Sequence, residues 1–122
     1  MHVLSQVLVG LVAAIHVYIL ILEMFLWQTA RGRKAFGTTP EFAAASAPLA
    51  ANQGLYNGFL AAGLVFGLLA TDPTGFAFRV FFLGCVIVAG LYGAATANRR
   101  ILFVQVLPAA FALVAVLLAH RL

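Results

Sequence analysis

Apolar residues dominate four stretches of the chain, at about 4–27, 49–70, 76–97 and 101–119, and polar punctuation separates them as QTARGRKAFGTTPE, TDPTG and ANRR. Each stretch is near the roughly 20 residues, about 30 Å of helix, that cross a bilayer. The runs lack the alternating polarity of strands, and a backbone in lipid must satisfy its own hydrogen bonds, so helices are predicted throughout. The expected fold is all-α: a polytopic membrane protein forming one domain over 1–122, a four-transmembrane-helix bundle. Thr39-Pro40-Glu41 has the signature of a helix start, with a hydroxyl cap, a proline in the first turn and an acid at the positive end of the dipole. Pro48 is expected to kink or restart that helix. The sequence Asp72-Pro73-Thr74-Gly75 is a tight-turn signal, which makes a hairpin of the second and third helices.

Composition agrees with this pattern. Of 122 residues, 65% are hydrophobic and 8% are charged, against about a quarter charged in soluble domains. A soluble domain this small would have no interior large enough for so much apolar surface. The first run lacks a basic segment before it, is too long for a signal peptide and carries His16 and Glu23, so it reads as a retained helix.

Charge then fixes a direction. Arg31, Arg33 and Lys34 lie in the first loop and Arg99 and Arg100 in the third, while Arg79 and Arg121 lie on the opposite side, five against two. The positive-inside rule puts the first group in the cytoplasm and both termini outside. The net charge of +4 comes from these topology signals, and nucleic-acid binding is excluded as its meaning. Cys85 is the one cysteine and sits in an apolar run, so it reads as a small buried hydrophobe and neither a disulfide nor a cysteine metal site can form within the chain.

The polar residues inside the runs are not scattered evenly. With each span's centre at the midplane, His16 lies near mid-bilayer and Glu23 about 11 Å toward the cytoplasm. On the second helix Asn52, Gln53, Tyr56 and Asn57, within the segment NQGLYNG, fall about 4 to 12 Å toward that same side. Tyr92 on the third helix and Gln105 on the fourth also fall in the cytoplasmic half, whereas the outer halves are almost entirely apolar. His16 and Glu23 are seven residues apart and share a helix stripe, with a rise of about 10.5 Å between them. They can converge on an object between them but cannot bond each other.

Glu23 is the leading candidate for chemistry. An ionised acid in hydrocarbon costs several kcal/mol, and such residues usually face a bundle interior or a cavity. No lysine or arginine lies in the helix cores, so its compensations are protonation, amide donors from the second helix, and water. The competing placement has Glu23 reaching the cytoplasmic interface beside Trp27. For NQGLYNG the alternatives are ligand contacts or interhelical hydrogen bonds. Glycine pairs Gly54/Gly58 and Gly63/Gly67 allow close helix approach, either within the chain or in a homo-oligomer. His16 and Glu23 provide two ligands where a metal needs at least three, so no metal is expected, and no cofactor-binding motif is present.

The helix bearing His16 and Glu23, the following RGRKAFG, then NQGLYNGFLAAGL and VQVLPA together resemble a family of small bacterial four-helix membrane proteins known only as a domain of unknown function. The resemblance spans essentially the whole chain. It implies a multi-pass protein of the bacterial inner (plasma) membrane and transfers no catalytic residue. A second, purely architectural likeness is to the small multidrug-resistance exporters, four-helix proteins of this size with one acid in the first helix, a place Glu23 would take.

Three functional readings follow. In the first, a pocket in the cytoplasmic half binds or transforms a small lipophilic molecule by a proton shift or isomerisation. Glu23 and His16 would be the acid–base pair, and Asn52, Gln53, Tyr56, Asn57, Tyr92 and Gln105 would be hydrogen-bonding partners. In the second, the chain is a proton-linked transporter acting as an oligomer; the apolar outer half disfavours a channel and weakens the case for alternating access. In the third, it is a structural or interaction subunit of the membrane without a ligand, with membrane lipid around it.

Overall fold

A computed structural model describes residues 2–121. They are helical apart from short connections: α1 (His2–Met24), α2 (Ala30–Phe36), α3 (Pro40–Leu69), α4 (Thr74–Thr96), a π-helical turn (Leu102–Val106) and α5 (Leu107–Arg121). Among the described residues three segments are long and apolar enough to cross a membrane: His2–Met24, Thr74–Thr96 and Leu102–Arg121. The expected span at 49–70 falls in α3 up to its end at Leu69; α3 has the length, but Asn52, Gln53 and Asn57 lower its hydropathy.

The expected helix start is present. Phe42 N–H donates to Thr39 Oγ1 at 3.1 Å, and α3 opens with Pro40 and Glu41. Pro48 does not restart the helix, as α3 runs through it without a break. The first helix ends at Met24, three residues before the predicted Trp27, and the segment expected to be a loop contains α2. Its signals were local. Thr29 Oγ1 accepts from Gly32 N–H at 3.2 Å at the start. At the end Gly37 sits at φ 68, a left-handed conformation that glycine adopts without steric cost, and Thr38 N–H donates to the Arg33 carbonyl at 3.0 Å. The fourth predicted run begins in a π turn because of Pro108. Leu107 N–H bonds the Leu102 carbonyl, five residues back, and this wider turn makes room for a proline that lacks an N–H and crowds the preceding turn.

The chain forms two compact units. One contains the residues up to Ile15 and those from Leu60 onward. Its core is built from Val9, Val12, Leu64, Leu83, Val86 and Val116, with Ala109 and Ala112 keeping the α5 side thin. Small residues bring helices close here as well. A Cβ on Gly63 would lie 2.5 Å from the Phe82 ring, and one on Gly67 would lie 2.8 Å from Arg79 Cγ. Arg79 is held on that contact. Its Nη1 donates to the Gly67 carbonyl at 2.6 Å, and its Nη2 pairs with Asp72 at 3.3 Å. The carboxylate of Asp72 also accepts from Phe76 N–H at 3.0 Å and so satisfies a backbone donor in the first turn of α4. Asp72→Ala should cost about 1 kcal/mol, the usual worth of such a cap, in reversible unfolding of the detergent-solubilised protein. Its exposed ion pair adds little to that.

The other unit is His16–Phe59. It holds the last two turns of α1, the whole of α2 and the first two-thirds of α3.

Candidate functional site

In the unit His16–Phe59, the buried positions of α3 follow helical spacing: Ala43, Ala50, Gly54 and Asn57, the last 8% exposed. Three of the four are alanine or glycine, so the facing segment of α1 can approach closely. A Cβ on Gly54 would lie 2.6 Å from Met24 Cγ, 3.1 Å from Glu23 Cβ and 3.3 Å from the Leu20 carbonyl oxygen. One on Gly58 would lie 2.7 Å from Leu20 Cδ1. The pair Gly54/Gly58 is thus occupied by contacts within the chain.

That approach brings Asn57 to Glu23. Asn57 Nδ2 donates to Glu23 Oε1 at 2.6 Å and to the Gln53 carbonyl at 3.2 Å, so both amide hydrogens are used. Glu23 is 2% exposed and lies in the last turn of α1. Among the described residues its second oxygen, Oε2, has no hydrogen-bond partner.

Beyond Met24 the chain leaves the helix in a tight turn, with Phe25 and Leu26 N–H groups both donating to the Ile21 carbonyl at 3.0 and 3.1 Å. The turn carries Trp27 back to α3. Its indole N–H donates to Ser46 Oγ at 3.1 Å, and Ser46 in turn donates to the Phe42 carbonyl at 2.7 Å. The Trp27 ring also packs on Phe36 of α2, with centroids 4.8 Å apart. The result is an open recess of ≈ 270 Å³ lined by Glu23, Met24, Phe25, Trp27, Gln28, Thr29 and Ala47. A carboxyl group, an amide and a hydroxyl meet there with an aromatic wall.

The other candidate residues are not gathered at this recess. His16 is buried two turns up α1 and does not line it. Asn52 and Gln53 present exposed side chains, and Tyr56 is exposed with its ring edge-on to Phe59 at 5.7 Å. Tyr92 and Gln105 belong to the other unit. Tyr92 is exposed and Gln105 is half-buried in the π turn. Thr96 donates its hydroxyl to the Tyr92 carbonyl at 2.7 Å, a local bond that accounts for its polarity. Among the described residues no three of His, Cys, Asp and Glu come together.

The depth of NQGLYNG in the chain does not distinguish its four polar residues. The small residues select within it, because Ala43, Ala50 and Asn57 are spaced by seven, with Gly54 on the same stripe, and this pattern puts only Asn57 inward. Gln28, Thr29 and Ser46 were overlooked. Ser46 stood out as the one polar residue in FAAASAPLAA.

A family model described as "Protein of unknown function (DUF1304)" matches residues 10–117. The chain is similar to an uncharacterised protein, YpaA, of Lactococcus lactis subsp. lactis (strain IL1403), with 31% identity over 107 residues that cover 86% of this chain and 89% of the relative. No solved structure matches.

Proposed function

This chain belongs to the DUF1304 family, and from that premise we propose that it is a multi-pass protein of the bacterial plasma membrane that binds a small lipophilic molecule beside Glu23. The observation that carries this reading is a carboxyl group 2% exposed, one oxygen held by Asn57 and the other without a partner among the described residues, at the edge of a recess of ≈ 270 Å³. An acceptor without a partner at the edge of an open recess is available to a donor on a ligand, and a hydrogen bond to it contributes about 1–3 kcal/mol when the acceptor is charged. The apolar wall of Met24, Phe25 and Trp27 suits a ligand that is mostly hydrocarbon with one or two polar groups.

In this reading four segments span the bilayer, the fourth being residues 49–69 of α3, and both termini lie outside. The polar cluster that lowers the hydropathy of α3 is partly spent on Glu23, which lowers the cost of placing that helix in lipid. The charge bias supports the orientation, since Arg79 on the outer side is neutralised locally by Asp72. The geometry favours binding over a proton shift. A second acid–base group would have to touch the same molecule, and His16 does not line the recess.

Native mass spectrometry of gently extracted protein tests this. The wild-type chain should retain a small lipophile. Glu23→Gln keeps the side-chain shape and still accepts from Asn57, but replaces the open acceptor by an amide donor, and should reduce retention about tenfold or more. Asn52→Ala and Tyr56→Ala, at exposed positions, should leave retention unchanged. A wild-type protein that is always free of ligand would end the proposal.

A further inference from the structure

Taking the chain to lie in a membrane, as proposed above, we infer that α2 is a folded platform for anionic phospholipid headgroups, with Arg31 and Lys34 as the contacting residues. α2 buries one side and offers the other. Gly32 is buried and Phe36 packs on Trp27, while Arg31 and Lys34 are exposed on the opposite face. At three residues' separation they are neighbours, with Cβ atoms about 5–6 Å apart, close enough for both to reach one phosphate.

Arg33 has a different role. It is half-buried, and its Nε donates to the Gln28 carbonyl at 3.3 Å, which fixes the start of α2 rather than facing outward. Arg31 leans on the Tyr18 hydroxyl at 3.5 Å, a long contact that leaves its other donors facing out. Two like charges held side by side repel, and neither is ion-paired among the described residues. Of the chain's three acids, Glu23 is committed to Asn57, Asp72 pairs with Arg79, and Glu41 lies in the first turn of α3. A patch of unopposed cations on a helix anchored by a tryptophan at the end of an apolar span has the charge complement of an anionic leaflet. A lipid phosphate, held at that depth by its own acyl chains, is the occupant that satisfies both cations.

Trp27 is the one tryptophan in the chain and touches α2 through Phe36, so its fluorescence reports the lipid beside this patch. The full-length protein is reconstituted in phosphatidylcholine vesicles containing either phosphatidylglycerol or phosphatidylcholine with brominated acyl chains, which quench tryptophan on contact. Brominated phosphatidylglycerol should be preferred beside Trp27. Arg31→Gln and Lys34→Gln should each lower that preference about fivefold, and the double variant should abolish it. Arg33→Gln and the pair Arg99→Gln/Arg100→Gln should leave it in place. Added orthophosphate should act only through its ionic strength.

Equal quenching by the two lipids in wild-type protein would overturn the inference and leave the membrane reading intact. So would a preference that survives the loss of Arg31 and Lys34 but not of Arg99 and Arg100. An absence of quenching by either lipid would overturn both readings. The two substituted side chains are exposed, so unchanged helical circular dichroism is expected of the variants and separates loss of lipid contact from loss of fold.

Discussion

Asn57→Leu should destabilise the protein by about 3 kcal/mol, with Glu23 the reason. Leucine keeps the branched shape of asparagine but is larger, so some overpacking adds to the cost at this close contact. What is lost is the amide donor 2.6 Å from Glu23 Oε1, in a place where the carboxyl group is 2% exposed and has no other hydrogen-bond partner among the described residues. An acceptor stranded in the interior carries its whole desolvation cost, and that cost exceeds the net value of the bond itself. The same reasoning predicts that Glu23→Leu/Asn57→Leu is more stable than Asn57→Leu alone, because removing both partners leaves nothing stranded. Reversible unfolding in bicelles, run as a double-mutant cycle, reads both quantities. An Asn57→Leu variant as stable as the wild type would mean that the pair carries no weight.

The second large effect is at Gly54. Gly54→Ala should cost about 2 kcal/mol, at the centre of the range for overpacking. Of the three atoms its Cβ would meet, the Met24 side chain can swing away. Glu23 Cβ at 3.1 Å and the Leu20 carbonyl oxygen at 3.3 Å belong to or adjoin the α1 backbone and yield only if α1 moves. Moving α1 also stretches the bond between Glu23 and Asn57, so Gly54→Ala should weaken lipophile retention as well as stability. Gly10 and Gly84 provide the contrast. A Cβ at either position meets nothing within 4 Å, so alanine there should be neutral or stabilising by up to about 1 kcal/mol through its better helix propensity. Equal effects at Gly54 and Gly84 would show that α1 and α3 are not in close contact at this point.

The sequence made the helical class legible, because long apolar runs in a chain with 8% charged residues have few other solutions. It also made legible the start of α3, since the Thr39 cap is local chemistry. Glu23 was visible for a physical reason, as an acid in an apolar run needs a partner. Which partner it takes was less visible. Four polar groups crowd NQGLYNG, and composition does not say which one turns inward. That was decided by the alanine and glycine stripe of α3, a packing property that spans several turns. The recess was hidden for a related reason. It depends on Trp27 being tied to Ser46 nineteen residues later, after a stretch in which α2 folds the chain back. Neither residue signals that pairing alone, and α2 is a seven-residue helix whose caps outweigh its poor length. His16 shows the converse. Its position seven residues from Glu23 suggested shared chemistry, but two turns of helix separate the imidazole from the recess.

The central claim is that Asn57 holds the buried carboxyl group of Glu23. Solid-state nuclear magnetic resonance on wild-type protein in bilayers tests it most directly, through dipolar dephasing between the labelled side-chain carboxyl carbon of Glu23 and the labelled amide nitrogen of Asn57. With nitrogen and oxygen 2.6 Å apart, strong mutual dephasing is predicted. Absence of dephasing would contradict the account.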